Sequence, residues 1–159
     1  MAAMGQDGCA LQNVPAYHIT AEVALAAVRQ NGQALWHVPE HLRSLEVSMA
    51  AVQQNGNALR WAPEAHRVAE VILAAVRQNG EALACVPREL RTAGAAAAAV
   101  RQNGLALRWV PDHLCTAEVV AAAVRQTHLA LQWVQSRAKT PAVWKAAAAE
   151  LLARAQPQQ

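Results

Sequence analysis

One position of a repeating phrase in this 159-residue sequence holds arginine in four of its five copies. At a constant 24-residue spacing the position is occupied by Arg29, Gln53, Arg77, Arg101 and Arg125. We name its four arginines the arginine ladder, and Arg60 and Arg108 follow the same phrase. A guanidinium donates paired hydrogen bonds to carboxylates and phosphates, so the row predicts contact with acidic proteins or nucleic acid.

The arginine ladder also has a structural interpretation. Each arginine stands near the C-terminus of a predicted helix, where a cation is stabilised by the helix dipole. Packed helices lie about 10 Å apart, so stacked copies would place these side chains in a line along one solvated face. The sequence leaves both interpretations open.

A second recurrent position is aromatic in most copies. It holds His37, Trp61, Cys85, Trp109 and Trp133. The position before it varies as a surface position does, whereas the leucine two residues before it never changes. Tryptophan at such a border either packs half-buried against the next copy or contacts a partner. We therefore name Trp61, Trp109 and Trp133 as candidate partner-binding residues beside the arginines.

Two rows of amide side chains accompany these positions. The glutamines are Gln30, Gln54, Gln78, Gln102 and Gln126, and the asparagines are Asn31, Asn55, Asn79 and Asn103. Amides both donate and accept, and at recurrent loop positions they satisfy backbone groups between stacked units. We predict a structural role for both rows.

The remaining candidates for chemistry give no catalytic or metal-binding pattern. Cys9, Cys85 and Cys115 are odd in number and lack CxxC spacing, which predicts free thiols in a reducing compartment. His41 and His113 share a position but lie three units apart, so we expect solvated histidines. With no P-loop, nucleophile elbow or HExxH motif, we predict a non-enzymatic protein with no cofactor and no metal.

Composition indicates a folded, all-helical domain. The hydrophobic fraction is 54% and the charged fraction 16%, which excludes wholesale disorder. Much of the apolar content is alanine and phenylalanine is absent, so closely packed helices are favoured over strands. The net charge of +3 permits a nucleic-acid partner without arguing for one. The sequence has no membrane span or secretory start, so we predict an intracellular protein, cytoplasmic or in an organelle.

A fixed 24-residue period predicts the architecture, because such self-similarity is typical of solenoids. In the unit at 44–67, Ser44 is a predicted N-cap and a helix follows over about 45–55. Gly56 would end it in the left-handed conformation. A shorter helix begins near Asn57, and Pro63 opens a further turn.

The predicted fold class is therefore all-α, an α-solenoid of tandem 24-residue helical repeats with a C-terminal capping helix. The array would occupy 1–138, with a half unit at 1–18 and then five units. The cap and a short polar tail would occupy 139–159. The capping helix, over about 141–154, has an apolar side with Trp144, Ala148, Leu151 and Leu152.

The copies LEVSMAAVQQNGNALRWAP, EVILAAVRQNGEALACVP and EVVAAAVRQTHLALQWV resemble the repeats of the family called domain of unknown function 4116. The resemblance covers nearly all of 4–136. It implies a helical repeat and brings no activity, cofactor or catalytic residue. The period also resembles that of leucine-rich variant repeats, which alternate α and short 3₁₀ helices. The segment at 92–100 departs from the family, and Gly94 there costs about 1 kcal/mol of helix propensity.

These observations favour a protein–protein interaction or scaffold module that binds a protein partner or a larger assembly. The alternative is an array that binds single-stranded RNA or another nucleic acid through the arginine ladder. An enzyme is the third class, with a catalytic partner outside this chain.

Overall fold

The computed structural model of the protein describes residues 8–137 and 141–155. Every regular element within these ranges is a helix, which confirms the predicted all-α class. The α-helices are α1 (Ala21–Gln30), α2 (Leu45–Gln54), α3 (Ala69–Gln78), α4 (Ala93–Gln102), α5 (Ala117–Gln126), α6 (Leu131–Arg137) and α7 (Pro141–Ala155). Part of the predicted half unit, residues 1–7, lies outside the described residues.

Two kinds of 3₁₀ helix separate the α-helices, as the likeness to leucine-rich variant repeats implies. The longer ones span Gly8–Asn13, Gly32–His37, Gly56–Trp61, Gly80–Cys85 and Gly104–Trp109. The short ones span Ala16–His18, Glu40–Leu42, Glu64–His66, Arg88–Leu90, Asp112–Leu114 and His128–Ala130. The pattern decays after α5, where α6 replaces the longer 3₁₀ helix.

Hydroxyl side chains begin most of the repeated α-helices. The Ser44 hydroxyl accepts a hydrogen bond from the backbone N–H of Val47 at 3.2 Å, so the predicted N-cap is confirmed. Thr20, Thr92 and Thr116 cap α1, α4 and α5 in the same way. Val68 stands at this position before α3 and cannot make the bond.

Asparagine ends four of these helices and begins the next element. Asn55 has an extended backbone at φ −145°, and its side chain accepts a hydrogen bond from the N–H of Asn57 at 3.0 Å. The same bond recurs at Asn31, Asn79 and Asn103. The asparagine row is therefore an N-cap for the longer 3₁₀ helices, which confirms its predicted structural role.

The predicted left-handed glycine is wrong. No glycine in the described ranges has a positive φ, because the extended asparagine already ends the α-helix. Glycine is required for a different reason, which is the close approach of the next unit's backbone. A Cβ on Gly56 would overlap the carbonyl oxygen of Ala75 in the next unit's α-helix, and Gly32, Gly80 and Gly104 meet the equivalent carbonyl. Units can therefore pack with backbone against backbone.

The units stack in two layers with the core between them. The α-helices contact their neighbours α1 to α5 in order, and the longer 3₁₀ helices form a parallel row of their own. We name these the α layer and the 3₁₀ layer. Between them lie fully buried side chains that recur once in every unit, among them Leu35, Leu59, Leu83 and Leu107. This confirms the predicted repeat solenoid.

The glutamine row joins consecutive units, as predicted. The Gln54 side-chain carbonyl accepts a hydrogen bond from the Gly32 N–H at 2.6 Å, and its amide donates to the Gln30 carbonyl at 3.1 Å. Gln78 and Gln102 make the same two bonds one and two units later. Each glutamine thus satisfies two backbone groups at the end of the preceding α-helix.

Helix α7 packs against α5 with a different face from the one that the sequence suggests. Val143 and Ala147 are buried and Leu151 is half-buried, whereas Leu152 remains 68% exposed and Trp144 40% exposed. The small side chains one helical turn apart fit the alanine-rich surface of α5. The apolar side predicted for this helix is therefore divided between the contact and solvent.

Candidate functional site

The arginine ladder lies on the α layer. Each of its arginines is the penultimate residue of an α-helix and is exposed. The glutamine bonds join the C-terminal ends of successive helices, so α1 to α4 run parallel and their C-terminal residues share one edge. Gln53 interrupts this edge at α2.

Carboxylates engage the two ends of the arginine ladder. Arg29 forms an ion pair with Glu46 of α2 at 3.8 Å, although both side chains remain well exposed. Arg125 contacts both carboxylate oxygens of Glu150 in α7, one of them through Nε at 3.2 Å. The hydrogen bond with Glu150, and then its charge, raises the pKa of Arg125 above its ordinary value. Arg77 and Arg101 form no ion pair with any described residue.

Four of the other five candidate residues lie on the 3₁₀ layer. Arg60 and Trp61 end one of its helices, and Arg108 and Trp109 end another two units later. Arg60 and Arg108 therefore lie in the other layer from the arginine ladder. The sequence-predicted residues form two sets on different surfaces.

At one end of the 3₁₀ layer, Glu81 engages the candidate residues. Its carboxylate forms an ion pair with Arg108 and accepts a hydrogen bond from the Trp109 indole N–H at 3.1 Å. The Arg108 guanidinium lies 5.0 Å from the Trp109 ring centroid. Glu81 therefore holds both side chains at this end, although the buried Arg108 Nε has no hydrogen-bond partner among the described residues.

At the other end, the equivalent residues Arg60 and Trp61 contact no carboxylate among the described residues. Trp36 is 55% exposed, and its ring lies 4.3 Å from that of Trp61 at an angle of 51°. The Arg60 guanidinium lies 5.7 Å from the Trp61 ring, and its NH2 group is 3.9 Å from the Cys85 sulfur. Neither indole N–H donates a hydrogen bond that the described residues account for. Gln33 occupies the place that Glu81 has two units later and carries no charge.

Two clefts flank Trp61 in this open region. One, of about 190 Å³, is lined by Trp36 and Trp61 and edged by Gln12, Asn31 and Gln33. The other, of about 150 Å³, is lined by Gln33, Asn57, Arg60 and Trp61. We name the surface formed by Gln33, Trp36, Asn57, Arg60 and Trp61 the tryptophan surface. It combines aromatic faces, amide groups and one cation.

Trp133 lies in α6, whereas Trp61 and Trp109 end 3₁₀ helices. All three tryptophans are half-buried against the core. The Trp109 indole N–H is bonded to Glu81, whereas the Trp61 indole makes no such bond with any described residue.

Two sets of residues escaped the sequence reasoning. Trp36 occupies the variable position that precedes the aromatic one, and its side chain is exposed. Arg43 donates to the carbonyls of Val38 and, in the next unit, Trp61 at 2.8 and 3.1 Å. Arg67 and Arg91 recur at the same 24-residue spacing, and that recurrence was the signal that could have identified them.

The described residues form no group of three or more His, Cys, Asp or Glu side chains that could hold a metal ion. None of the helices in the described ranges combines the length and the apolar character needed to cross a membrane.

Parallel α-helices on one side, 3₁₀ helices on the other and a shared leucine core define an α-solenoid repeat protein. Residues 20–67 match the model of a family described as a domain of unknown function (DUF4116). This confirms the predicted resemblance over two of the units. No curated protein and no solved structure matches the chain.

Proposed function

We propose that this chain is a non-enzymatic protein-interaction module whose partner binds the tryptophan surface. The observation that carries the proposal is the contrast between the two ends of the 3₁₀ layer. Tryptophan and arginine dominate the binding energy of protein interfaces when they are central and desolvated by the partner. Trp36 is exposed, and Arg60 and Trp61 contact no carboxylate among the described residues. Arg108 and Trp109, by contrast, are both bonded to Glu81.

Nucleic acid is less well supported as the partner. The arginine ladder has carboxylates against Arg29 and Arg125, which leaves Arg77 and Arg101 to meet phosphates. Binding of a strand depends on several such contacts and weakens steeply with salt. A titration with single-stranded RNA at two salt concentrations tests this alternative. Tight RNA binding that weakens with salt and is lost in the Arg77→Glu variant would support this alternative and contradict our proposal.

The partner can be found by crosslinking in extract of the source cells. A photoreactive amino acid at position 36 should crosslink one partner protein. The same group at position 53, on the α layer, should not crosslink that protein. The affinity of that protein, once purified, is then measured by calorimetry. Trp36→Ala should weaken binding roughly thirtyfold, the effect of losing about 2 kcal/mol at an interface hot spot.

A matched pair of arginines and one added charge sharpen the test. Arg60→Ala should weaken binding about tenfold, whereas Arg108→Ala, at the same repeat position but already paired with Glu81, should leave affinity unchanged. Gln33→Glu should place a carboxylate against Arg60 and Trp61, as Glu81 is placed against Arg108 and Trp109. The variant should bind the partner more weakly while its fold remains intact. Equal effects of Arg60→Ala and Arg108→Ala would refute the proposed surface.

A further inference from the structure

The 3₁₀ layer contains the same arrangement of an arginine and a tryptophan twice. We name Arg60 with Trp61 the first pair, and Arg108 with Trp109, two units later, the second pair. In each pair the guanidinium lies over the indole ring, 5.7 Å from the ring centroid in the first and 5.0 Å in the second. The two pairs can therefore be compared residue by residue.

A further arginine binds the backbone of each pair. Arg43 donates a hydrogen bond to the carbonyl of Trp61 at 3.1 Å, and Arg91, two units later, donates to the carbonyl of Trp109. Each tryptophan is thus contacted by two guanidinium groups, one at its ring and one at its carbonyl. Both pairs lie in surroundings that favour a negative charge.

A carboxylate completes the second pair. Glu81 forms an ion pair with Arg108 and accepts a hydrogen bond from the indole N–H of Trp109 at 3.1 Å. Its side chain is only 25% exposed, so this contact is partly shielded from water and is stronger than an ion pair on an open surface. The geometry of such a pair therefore accommodates a glutamate side chain.

The first pair has no equivalent carboxylate. Gln33 stands at the repeat position of Glu81, and the Trp61 indole N–H donates to no residue in the described ranges. The Arg60 guanidinium reaches the sulfur of Cys85 at 3.9 Å, which is a weak acceptor, and forms no ion pair with the described part of the chain. A cation and an indole donor are therefore available to an anionic group from outside.

The surface around the first pair has room for that group and for an apolar neighbour. A cleft of about 150 Å³ borders Arg60 and Trp61. The exposed ring of Trp36 lies 4.3 Å from that of Trp61, whereas the second pair has Ala84 at the equivalent position. An apolar side chain next to the carboxylate would gain a contact with Trp36 that the second pair does not offer.

On the basis of the function proposed above, we propose that the partner places a glutamate side chain against Arg60 and Trp61, as Glu81 is placed against the second pair. The carboxylate accepts hydrogen bonds from the Arg60 guanidinium and from the Trp61 indole N–H. An apolar residue beside this glutamate packs on Trp36. The partner therefore presents an acidic residue next to an apolar one.

Two capped tripeptides, acetyl-Leu-Glu-Leu-amide and acetyl-Leu-Gln-Leu-amide, test the need for the carboxylate, because they differ in that group alone. Their binding is followed by NMR through the indole N–H resonances of the isotope-labelled chain. The Glu peptide should shift the Trp61 resonance with a dissociation constant of about 1–10 mM, about threefold or more below that of the Gln peptide. The Trp109 resonance should not respond, because Glu81 already occupies the second pair.

A matched pair of variants makes the test a gain of binding. Glu81→Gln removes the carboxylate from the second pair, so the Trp109 resonance should then respond to the Glu peptide as that of Trp61 does. Glu70→Gln removes the same charge from the α layer and should leave the Trp109 resonance unresponsive. A variant that fails to fold could not produce this gain.

The outcomes separate this glutamate from the proposed function. Equal binding of the two peptides at Trp61 would overturn the glutamate, and so would a Trp109 resonance that stays unresponsive in Glu81→Gln. Neither result would affect a partner that crosslinks to position 36, which is the test of the tryptophan surface itself. A larger response of Trp61 to inorganic phosphate than to the Glu peptide would also overturn the glutamate and would favour nucleic acid.

Discussion

Glutamine 54 provides the sharpest test of how the units are joined. Its neighbour Gln53 is the same amino acid on the same helix and is also exposed, and its side chain makes no hydrogen bond that the described residues account for. Gln54→Ala removes the bonds to Gly32 and Gln30, whereas Gln53→Ala removes neither. Comparison of the two variants therefore separates the loss of these two hydrogen bonds, which we name the glutamine bridge, from any general effect of replacing glutamine in α2.

The expected loss can be calculated from the two bonds. The Gly32 N–H is buried, so removing its acceptor leaves an unsatisfied donor at a cost of about 1–3 kcal/mol. The Gln30 carbonyl is exposed and can bond to water, so its loss costs about 0.5 kcal/mol. Gln54→Ala should therefore lower the free energy of unfolding by about 1.5–3.5 kcal/mol, and Gln53→Ala should change it by less than about 0.5 kcal/mol.

Urea unfolding followed by tryptophan fluorescence and circular dichroism measures both variants. The Gln54→Ala midpoint should fall by about 1 M. Hydrogen exchange provides a local readout, since the Gly32 amide should exchange faster relative to that of Ala34. If the two variants lose the same stability, or if the Gly32 amide is unaffected, the glutamine row does not join the units.

Three further substitutions test local features by the same unfolding measurement. Val68→Thr should raise the free energy of unfolding by about 1 kcal/mol because it supplies the missing N-cap of α3, and an unchanged midpoint would show that the cap is not limiting. Gly94→Ala should stabilise α4 by about 0.5–1 kcal/mol, since a Cβ there meets nothing closer than 3.9 Å; a loss would contradict the assigned open space. Gly56→Ala should destabilise by about 2 kcal/mol or more because its Cβ overlaps the Ala75 carbonyl, and a neutral result would refute the close packing of units.

Much of the fold could be predicted because a 24-residue period constrains every unit at once. The predicted helix over about 45–55 is Leu45–Gln54, and the amide rows serve the backbone as expected. The predicted left-handed glycine was wrong because glycine is required by the close approach of the next unit. A local sequence pattern does not indicate that distance. The face of α7 was wrong for the same kind of reason, since contact with α5 selects Val143 and Ala147.

The candidate site was harder to predict than the fold. Repeat positions showed which side chains are variable, but they could not show that Arg60 and Arg77 belong to different layers. Whether the indole N–H of a tryptophan has a carboxylate acceptor depends on the residue 28 positions earlier. Glu81 precedes Trp109 by this distance, and Gln33 precedes Trp61. That relation joins two units and becomes visible only when their relative placement is known.

The glutamine bridge also gives the chain a direction of assembly. The amide that satisfies the Gly32 N–H belongs to the following unit, and the same is true of Gly56 and Gly80. On the ribosome, a unit of this array therefore emerges before the side chain that completes its backbone hydrogen bonds. Each unit should reach its final stability only after the following unit has been synthesised, so folding follows translation with a lag of one repeat.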